Sequence, residues 1–425
     1  MKSVGILTLG CKVNTYESEY IRNILEKNGY IIKDFKDTCD IYIINTCTVT
    51  NSSDSKSKKM IRQAKRNNPH ACIVAMGCFI EANKDNLFEG INIVIGNKDK
   101  NKIVELLDEY YKNKNQIIRL YKDELNEFED MYIDTFPGRT RAFVKIQDGC
   151  ENYCSFCIIP YVRGACRSKD KDVVIKEIND LVNNGYKEIV LTGIHTGNYG
   201  YDKDYNFYDL IKEIVKIKGL KRLRISSIEM NELTDDILNL IKDNNIIVDH
   251  FHIPLQSGSD KILKAMRRKY NLNQYKDKIN KIRSIKKDVS ITTDIIVGFP
   301  GESDKDFEDT YNFAKEIGFS KIHVFPYSER KGTHASTLDN KVDPTTKKNR
   351  AKKLIELSNE LEAGFAKKFI GKNLEVLIEK ADDKSTGHTT NYLKVEINSK
   401  LKQNELYNVH IIDIKDNILI GELCI

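Results

Sequence analysis

The first part of the chain alternates between short apolar runs and longer amphipathic stretches. The apolar runs predict strands at Val4–Leu9, Ile41–Asn45, Ala71–Met76 and Ile91–Ile95. Between them, apolar residues at helical spacing predict helices at about 16–28 and 53–67. This alternation is typical of an α/β domain with a doubly wound parallel sheet, which we place at residues 1–113.

A second, longer segment repeats this pattern after a charged connection at residues 114–136. Its apolar runs predict strands at 140–146, 188–191, 222–225, 250–253, 290–296 and 321–325. Helical stretches between them include 173–183, 233–242 and 272–285. The expected fold of residues 137–366 is therefore a partial (β/α)6 barrel, with functional residues on the loops that follow the strands.

From about residue 369 the pattern changes to short alternating strands, expected at 374–378, 392–395, 407–411 and 418–423. Such a run predicts a small β-barrel at residues 369–425. Before it, Asp343 and Pro344 predict the start of a long helix, because a capping aspartate followed by proline suits a first turn.

Composition limits the class of protein. A chain of 425 residues with 40% hydrophobic and 31% charged residues is expected to form two or three globular domains. No run approaches the roughly 18 apolar residues that cross a bilayer. The segment ending at Cys11 superficially resembles a lipoprotein signal, but its apolar stretch is short and polar sequence follows. We therefore expect a cytoplasmic protein without a membrane partner.

Three of the ten cysteines, Cys150, Cys154 and Cys157, are separated by three and two residues. Reduced thiols at this spacing can hold one iron–sulfur cluster and leave one iron open, whereas electron-transfer clusters and closed zinc sites take four ligands. The alternatives are a chance group of buried thiols and a zinc site whose fourth ligand lies elsewhere. Cys166 fits no ligand spacing.

Another three cysteines, Cys11, Cys47 and Cys78, each lie about two residues past a predicted strand. The carboxyl ends of parallel strands form the edge where ligands bind. This placement suggests a second three-cysteine cluster, with three unrelated buried thiols as the alternative. We interpret Cys39 and Cys72 as such structural thiols.

Both groups of cysteines resemble known motifs. The segment Cys150–Cys157 resembles the signature of radical S-adenosylmethionine enzymes. The segments 8–18, 45–50 and 76–78 resemble the three ligand motifs of the methylthiotransferase N-terminal domain. The chain thus resembles, over nearly its whole length, the methylthiotransferase family of radical S-adenosylmethionine enzymes.

The resemblance implies two 4Fe–4S clusters. A cluster on Cys150, Cys154 and Cys157 would cleave S-adenosylmethionine to form a radical, and a cluster on the other trio would carry sulfur that accepts a methyl group. The family holds S-adenosylmethionine with the loops after the barrel strands. The corresponding residues here are Thr192, Gly193, Ser226, Glu229 and Gln256. His195, in the first of these loops, could titrate near neutral pH or only hydrogen-bond locally.

Several basic segments could contact nucleic acid, although a net charge of +6 and a pI near 8.5 do not establish such a partner. They are the predicted helix at 56–66, the residues Arg163, Arg167 and Lys169, and the run at 264–269. A solvated surface is the alternative for each. Residues 387–393 resemble the RNA-binding TRAM module, but 371–425 contain seven lysines against nine acids.

The forms of the segments 10–14 and 16–18 favour the branch of the family that acts on N6-threonylcarbamoyladenosine beside the tRNA anticodon. This branch makes the 2-methylthio derivative and needs tRNA, an electron donor and a sulfur source. Methylthiolation of isopentenyladenosine or of a ribosomal protein side chain is an alternative. A noncatalytic iron–sulfur or RNA-binding protein is an alternative of another class.

Overall fold

The computed structural model describes residues 1–86, 88–120 and 127–424. The strands of the first domain are β1 (Ser3–Thr8), β2 (Ile31–Lys33), β3 (Ile41–Thr46), β4 (Cys72–Gly77), β5 (Ile93–Ile95) and β6 (Ile117–Arg119). Its helices are α1 (Lys12–Lys27), α2 (Asn51–Asn67), α3 (Cys78–Ala82) and α4 (Ile103–Asn113). In the described part of the chain these strands form one six-stranded sheet, in the order β2-β1-β3-β4-β5-β6.

All neighbouring strands of this sheet are parallel. Separate apolar cores lie on it, and both contain side chains of β3 and β4, so helices cover both faces. The predicted doubly wound architecture is confirmed. The sequence missed β2 and β6 because each has only three residues, partly exposed at a sheet edge.

The stretch 114–136 is more than a connection. Its residues Ile117–Arg119 pair with β5 and complete the first sheet. Further along, Met131, Ile133 and Phe136 are buried in the core of the second domain. The remaining part at 121–126 lies outside the described residues. The sequence pattern suggested a separate linker because these apolar residues are scattered among charges.

The strands of the second domain are β7 (Arg141–Lys145), β8 (Gln147–Asp148), β9 (Arg167–Ser168), β10 (Glu188–Thr192), β11 (Arg222–Ile225), β12 (His250–His252), β13 (Ser290–Val297) and β14 (Lys321–Pro326). Its helices are α5 (Ile159–Arg163), α6 (Lys171–Asn183), α7 (Phe207–Ile214), α8 (Asp235–Asp243), α9 (Asp260–Ala265), α10 (Leu272–Ile285), α11 (Asp304–Ile317) and α12 (Pro344–Lys367). Short 3-10 turns lie at Lys100–Lys102, Thr196–Asn198, Met230–Glu232 and His334–Thr337.

The six longer strands of this domain form an open barrel in two halves. The parallel sheets β11-β10-β7 and β12-β13-β14 are joined through an isolated bridge between Leu223 and Ile247. The six predicted strands and the partial barrel are therefore confirmed. The two-residue strands β8 and β9, which the sequence missed, pair with each other on either side of the Cys150–Cys157 loop. Among the described helices, none has the length and apolar character needed to cross a bilayer.

The C-terminal strands are β15 (Asn373–Ala381), β16 (Ser385–Thr389), β17 (Lys394–Ile397), β18 (Leu406–Lys415) and β19 (Ile418–Leu423). Within residues 373–423 they form a closed barrel, in the order β15-β16-β17-β19-β18. The predicted small barrel is confirmed with one added strand. The sequence missed β16 because its residues are polar or small, although alternate positions face the barrel core.

Helix α1 fastens the first domain to the second through polar side chains. The Tyr16 hydroxyl lies 2.7 Å from Glu177 Oε1 of α6 and 2.8 Å from the Met131 carbonyl oxygen. Lys169 Nζ donates to the same hydroxyl at 3.3 Å. All three side chains, Tyr16, Lys169 and Glu177, are buried, so removing one partner leaves the others without a replacement from water.

We expect Tyr16→Phe to lower the free energy of unfolding by about 1–3 kcal/mol, because it leaves buried polar partners without the hydroxyl. The measurement is the urea unfolding midpoint followed by circular dichroism. Tyr201→Phe is the control, since Tyr201 is 69% exposed and its midpoint should stay unchanged. Equal midpoints for Tyr16→Phe and the parent protein would contradict the role of this contact.

Candidate active site

Three loops at one edge of the first sheet carry Cys11, Cys47 and Cys78. Cys11 immediately precedes α1, Cys47 follows β3, and Cys78 begins α3 directly after β4. The strands before these loops are neighbours in the order β1-β3-β4. Because parallel strands end at the same edge, the structure brings the three loops together.

The loop of Cys11 passes directly against Cys47. Gly10 has a φ of +98°, and a Cβ atom at this position would lie 2.9 Å from Cys47 Sγ. Only glycine adopts this conformation and this close approach without strain. Burial raises the pKa of Cys47. Solvent reaches Cys11, but the surrounding protein still raises its pKa, and a charge on Cys78 adds to the shift of both thiols.

The second cysteine loop lies between β8 and α5. Its backbone is held by the Cys150 N–H, which donates to the Gly164 carbonyl at 3.1 Å, and by the Cys157 N–H, which donates to the Cys154 carbonyl at 2.9 Å. Burial raises the pKa of Cys157 to about 12. Burial also raises the pKa of Cys154, although the charge of Arg268 opposes it. Free thiolates are therefore disfavoured here unless a positive group or a metal offsets their charge.

One buried arginine contacts each group of cysteines. Arg163 Nε lies 3.2 Å from Cys78 Sγ, and Arg268 Nη1 lies 3.3 Å from Cys154 Sγ. Both guanidinium groups are almost fully buried, with side chains 0% and 4% exposed. Each places a permanent positive charge against a sulfur atom, and the charge of Arg268 opposes the rise in the pKa of Cys154.

The cysteine side chains are suitable ligands for iron–sulfur clusters, although they do not lie close enough together to bind a single metal ion. Among the described residues, no group of three His, Cys, Asp or Glu side chains is close enough together to hold a single metal ion. Each site nevertheless offers three soft thiol ligands and one cation. Soft sulfur ligands select iron–sulfur clusters or zinc, and a negatively charged cluster is compatible with a buried arginine.

A cavity of about 160 Å³ opens beside the second cysteine loop. Its lining residues are Asn152, Cys154, His195, Asn198, Glu229, Asn231, Glu232, Arg267, Arg268, Lys269 and Tyr270. A larger cavity, of about 920 Å³, lies between α11 and α12 and contains none of the described cysteines. The smaller one combines Cys154 with both acidic and basic groups, so we take it as the candidate site.

Glu229 and His195 line this cavity, but neither side chain is free. Glu229 forms an ion pair with Arg268. His195 pairs with Glu232 and lies 3.8 Å from Cys150 Sγ. Burial lowers the pKa of His195, but its contacts with Cys150, Cys166 and Glu232 outweigh this and raise it to about 12. Of the two alternatives for His195, the structure favours local hydrogen bonding.

The other four residues expected to contact S-adenosylmethionine lie at the same end of the barrel, but they are not among the residues that line the 160 Å³ cavity. Thr192 ends β10 and is buried, and Gly193 lies against Gln147. Ser226 follows β11, with its Oγ atom 3.5 Å from Thr196 Oγ1. Gln256 follows β12 and has a φ of +71°. Their role in binding S-adenosylmethionine stays a prediction.

Comparison with known proteins decides the family. Residues 144–314 match the Radical SAM superfamily, and residues 3–96 match a family described as uncharacterized protein family UPF0004. The chain is 44% identical over 408 residues to the threonylcarbamoyladenosine tRNA methylthiotransferase MtaB of Bacillus subtilis (strain 168), covering 93% of this chain and 90% of the relative. The chain belongs to the methylthiotransferase family of radical S-adenosylmethionine enzymes.

Two further proteins are similar to the chain, one in sequence and one in fold. It is 36% identical to the tRNA-2-methylthio-N(6)-dimethylallyladenosine synthase of Clostridium novyi (strain NT), covering 98% of this chain and 96% of the relative. Its fold is similar to that of the radical S-adenosylmethionine methyltransferase TsrM from Kitasatospora setae. That similarity has a TM-score of 0.59 at 14% identity, over 79% of this chain and 75% of that one, and concerns the fold alone.

Sequence reasoning missed the two arginines of this methylthiotransferase. It treated Arg163, Arg167, Lys169 and the run at 264–269 as a solvated surface or RNA contacts. The structure buries Arg163, Arg167, Lys169 and the Arg268 side chain, which excludes a solvated surface for these four residues. The available signal was the position of Arg163, six residues after Cys157 and just before a glycine, in a segment that must fold back onto the cysteine loop.

We expect Gly149→Ala to abolish iron loading at Cys150, Cys154 and Cys157. Gly149 has a φ of +75°, and a Cβ atom would lie 1.9 Å from the Ala165 carbonyl oxygen, so the loop must move. Iron per chain after anaerobic reconstitution, in a protein whose Cys11, Cys47 and Cys78 are alanine, measures the effect. Gly185→Ala is the control, because its φ is +94° but nothing lies within 4 Å. Normal loading of Gly149→Ala would contradict the geometry.

Proposed function

We propose that the protein is a tRNA methylthiotransferase that replaces the C2 hydrogen of N6-threonylcarbamoyladenosine with a methylthio group. The observation that carries the substrate choice is sequence similarity. Two relatives named for threonylcarbamoyladenosine are 44% and 40% identical to the chain, whereas one named for dimethylallyladenosine is 36% identical. Methylthiolation of the dimethylallyl nucleoside is the second candidate, because those relatives also span nearly the whole chain.

The proposed substitution requires a cofactor. An aromatic C–H bond is not acidic enough for a side-chain base and offers no carbonyl or phosphoryl centre to a protein nucleophile. We propose that Cys150, Cys154 and Cys157 hold one 4Fe–4S cluster and that Cys11, Cys47 and Cys78 hold a second. When bound, these clusters and S-adenosylmethionine supply the radical, the sulfur and the methyl group.

The side chains of the small cavity suit a zwitterionic amino acid group such as that of S-adenosylmethionine. The carboxylates of Glu229 and Glu232 offer acceptors for an ammonium group, and Arg267 and Arg268 offer donors for a carboxylate. Glu229 and Arg268 form an ion pair with each other. A bound ligand would break this pair, with its ammonium group contacting Glu229 and its carboxylate contacting Arg268. The cavity borders Cys154, which supports binding of the cosubstrate next to the cluster.

The arrangement of the two cysteine trios supports the proposal that both clusters act on one substrate. Arg163 belongs to α5, which follows the Cys150–Cys157 loop, and yet its Nε atom contacts Cys78 of the first domain. The two sites are therefore connected by one short segment of chain. Such proximity is needed if both clusters act on the same adenine.

Helix α2 is the surface that we propose contacts the tRNA backbone. Its exposed face carries Lys56, Lys59, Arg62, Lys65 and Arg66, and clustered cations bind phosphates without reading sequence. The C-terminal barrel contributes less positive charge, since residues 371–425 contain more acids than lysines. An electron donor and a sulfur source complete the proposed set of partners.

Mass spectrometry of tRNA nucleosides tests the proposal directly. In cells that lack this gene, we expect 2-methylthio-N6-threonylcarbamoyladenosine to fall to background and its precursor N6-threonylcarbamoyladenosine to accumulate. Restoring the gene should restore the product, whereas restoring a Cys154→Ala form should not. Loss of the methylthio dimethylallyl nucleoside instead would favour the second candidate, and unchanged nucleosides would contradict both.

Substitutions in the two cysteine trios should have different effects in assays of the purified enzyme. We expect Cys154→Ala to reduce 5′-deoxyadenosine formation to background, because it removes a ligand of the cluster proposed to cleave S-adenosylmethionine. Cys47→Ala should leave that cleavage within about twofold of the parent enzyme but stop methylthio transfer. Chromatography of 5′-deoxyadenosine and of tRNA nucleosides measures both. Equal loss of cleavage in the two variants would contradict this division.

A further inference from the structure

A cluster of buried charges joins the two domains next to Cys78. We call it the seam cluster. Its members are Glu17 and Lys100 of the first domain and Lys145, Asp148 and Arg163 of the second. Every one of these side chains is at most 2% exposed. Burial of so many charges is costly unless each is paired in good geometry.

Arg163 lies at the centre of the seam cluster. Its Nη1 atom is 3.1 Å from Glu17 Oε1 and 3.0 Å from both carboxylate oxygens of Asp148. Its Nη2 atom donates to Asn14 Oδ1 at 2.7 Å, and its Nε atom donates to Cys78 Sγ at 3.2 Å. A guanidinium has donors in a fixed planar fork. The positions of Cys78 and Asn14 are therefore tied to each other through one rigid group.

Asn14 extends this connection to the other two cysteine loops. Its Nδ2 atom donates to the Leu9 carbonyl at 2.8 Å and to the Thr46 carbonyl at 3.0 Å. These carbonyls lie two residues before Cys11 and one residue before Cys47. Because the Asn14 Oδ1 atom accepts from Arg163, its amide nitrogen must point toward the two loops. Arg163 thus acts on all three loops of the first domain.

The charge balance of the seam cluster also favours sulfur. Four cations, Lys100, Lys145, Arg163 and Arg167, face the carboxylates of Glu17 and Asp148, and the buried carboxyl group of Glu129 lies near Lys100 and Lys145, so positive charge is in excess. The Nε–H of Arg163 directs part of that charge at Cys78. Positive charge and hydrogen bonds to ligand sulfur stabilise the more negative, reduced form of an iron–sulfur cluster and raise its reduction potential.

We propose that Arg163, a residue of the second domain, is a positioning residue for the cluster of the first domain. It aligns Cys11, Cys47 and Cys78 and sets the reduction potential of the cluster that they hold. The inference rests on the proposed function, in which these cysteines are the ligands. It makes assembly of the first cluster dependent on correct docking of the two domains. A purely structural ion-pair network, which would affect stability alone, is the competing explanation.

The test isolates one cluster at a time in the full-length chain. In a parent protein with Cys150, Cys154 and Cys157 replaced by alanine, Arg163→Lys keeps a positive charge for Glu17 and Asp148 but removes the fork that reaches Cys78 and Asn14. We expect iron and acid-labile sulfide per chain to fall severalfold, or the potential of the remaining cluster, titrated by electron paramagnetic resonance, to become more negative.

Arg268→Lys is the matched control, because Arg268 is a buried arginine at nearly the same distance from the other trio. In the same parent it should change neither the iron content nor the potential. In the reciprocal parent, with Cys11, Cys47 and Cys78 replaced by alanine, Arg268→Lys should change the iron content or the reduction potential, and Arg163→Lys should change neither. Changes of equal size with both arginine variants in the first parent would overturn the inference.

The outcomes separate the inference from the proposed function. A parent protein that binds no iron would refute the first-cluster ligands, and with them both proposals. A parent that binds a cluster, combined with an Arg163→Lys variant of equal iron content and potential, would refute only the inference. If Arg163→Lys does not fold, Asn14→Ala decides in the same way, because it breaks the link to Cys11 and Cys47 while leaving the ion pairs of Arg163 intact.

Discussion

Burial of two guanidinium groups against cysteine sulfur is the interaction on which the rest of this structure depends. Burial makes a thiolate costly, and it raises the pKa of Cys157. Arg163 lies beside Cys78 and Arg268 beside Cys154, and each brings a positive charge that does not depend on pH. The arginines in turn pair with carboxylates: Arg163 with the buried Glu17 and Asp148, and Arg268 with the half-buried Glu229. The buried polar groups of the interior surround these two arginine–sulfur contacts.

Helix α1 shows how that requirement shapes the domain arrangement. Its apolar residues pack on the first sheet in the usual way, with Ile21 and Leu25 in the core. Its first two turns instead bury Asn14, Tyr16 and Glu17 against the second domain. A polar helix face normally meets water, but here every one of these side chains finds a partner across the seam. The two domains are consequently joined by specific polar contacts, and these lie directly beside the loops of the first cysteine trio.

The C-terminal barrel packs against the inner strands of the open barrel by the same kind of contact. Arg222 of β11 donates to the Glu375 carbonyl of β15 at 2.9 Å, and the guanidinium of Arg224 lies 4.5 Å from the centre of the Tyr392 ring. The His388 ring stacks on Tyr392, and the His250 ring lies tilted with its centre 5.0 Å from the centre of the Tyr392 ring. Charged positions on barrel strands, which an amphipathic pattern would assign to solvent, are thus covered by another part of the chain.

The sequence by itself determined the strands and helices with clear periodicity, the three-part architecture, both cysteine trios and the family. Those features depend on local spacing, which the chain carries in order: Cys150–Cys157 lie in one loop, and β3 and β4 are continuous apolar runs. Only the tertiary structure decided that Arg163 and Arg268 face sulfur, that Glu229 and His195 already have partners, and that Met131 and Phe136 belong to the second core. Each of these depends on contacts between residues distant in sequence, where pairing and burial energies outweigh local pattern. A buried arginine and an exposed one look alike in a sequence, because the difference lies in what the rest of the chain places around them.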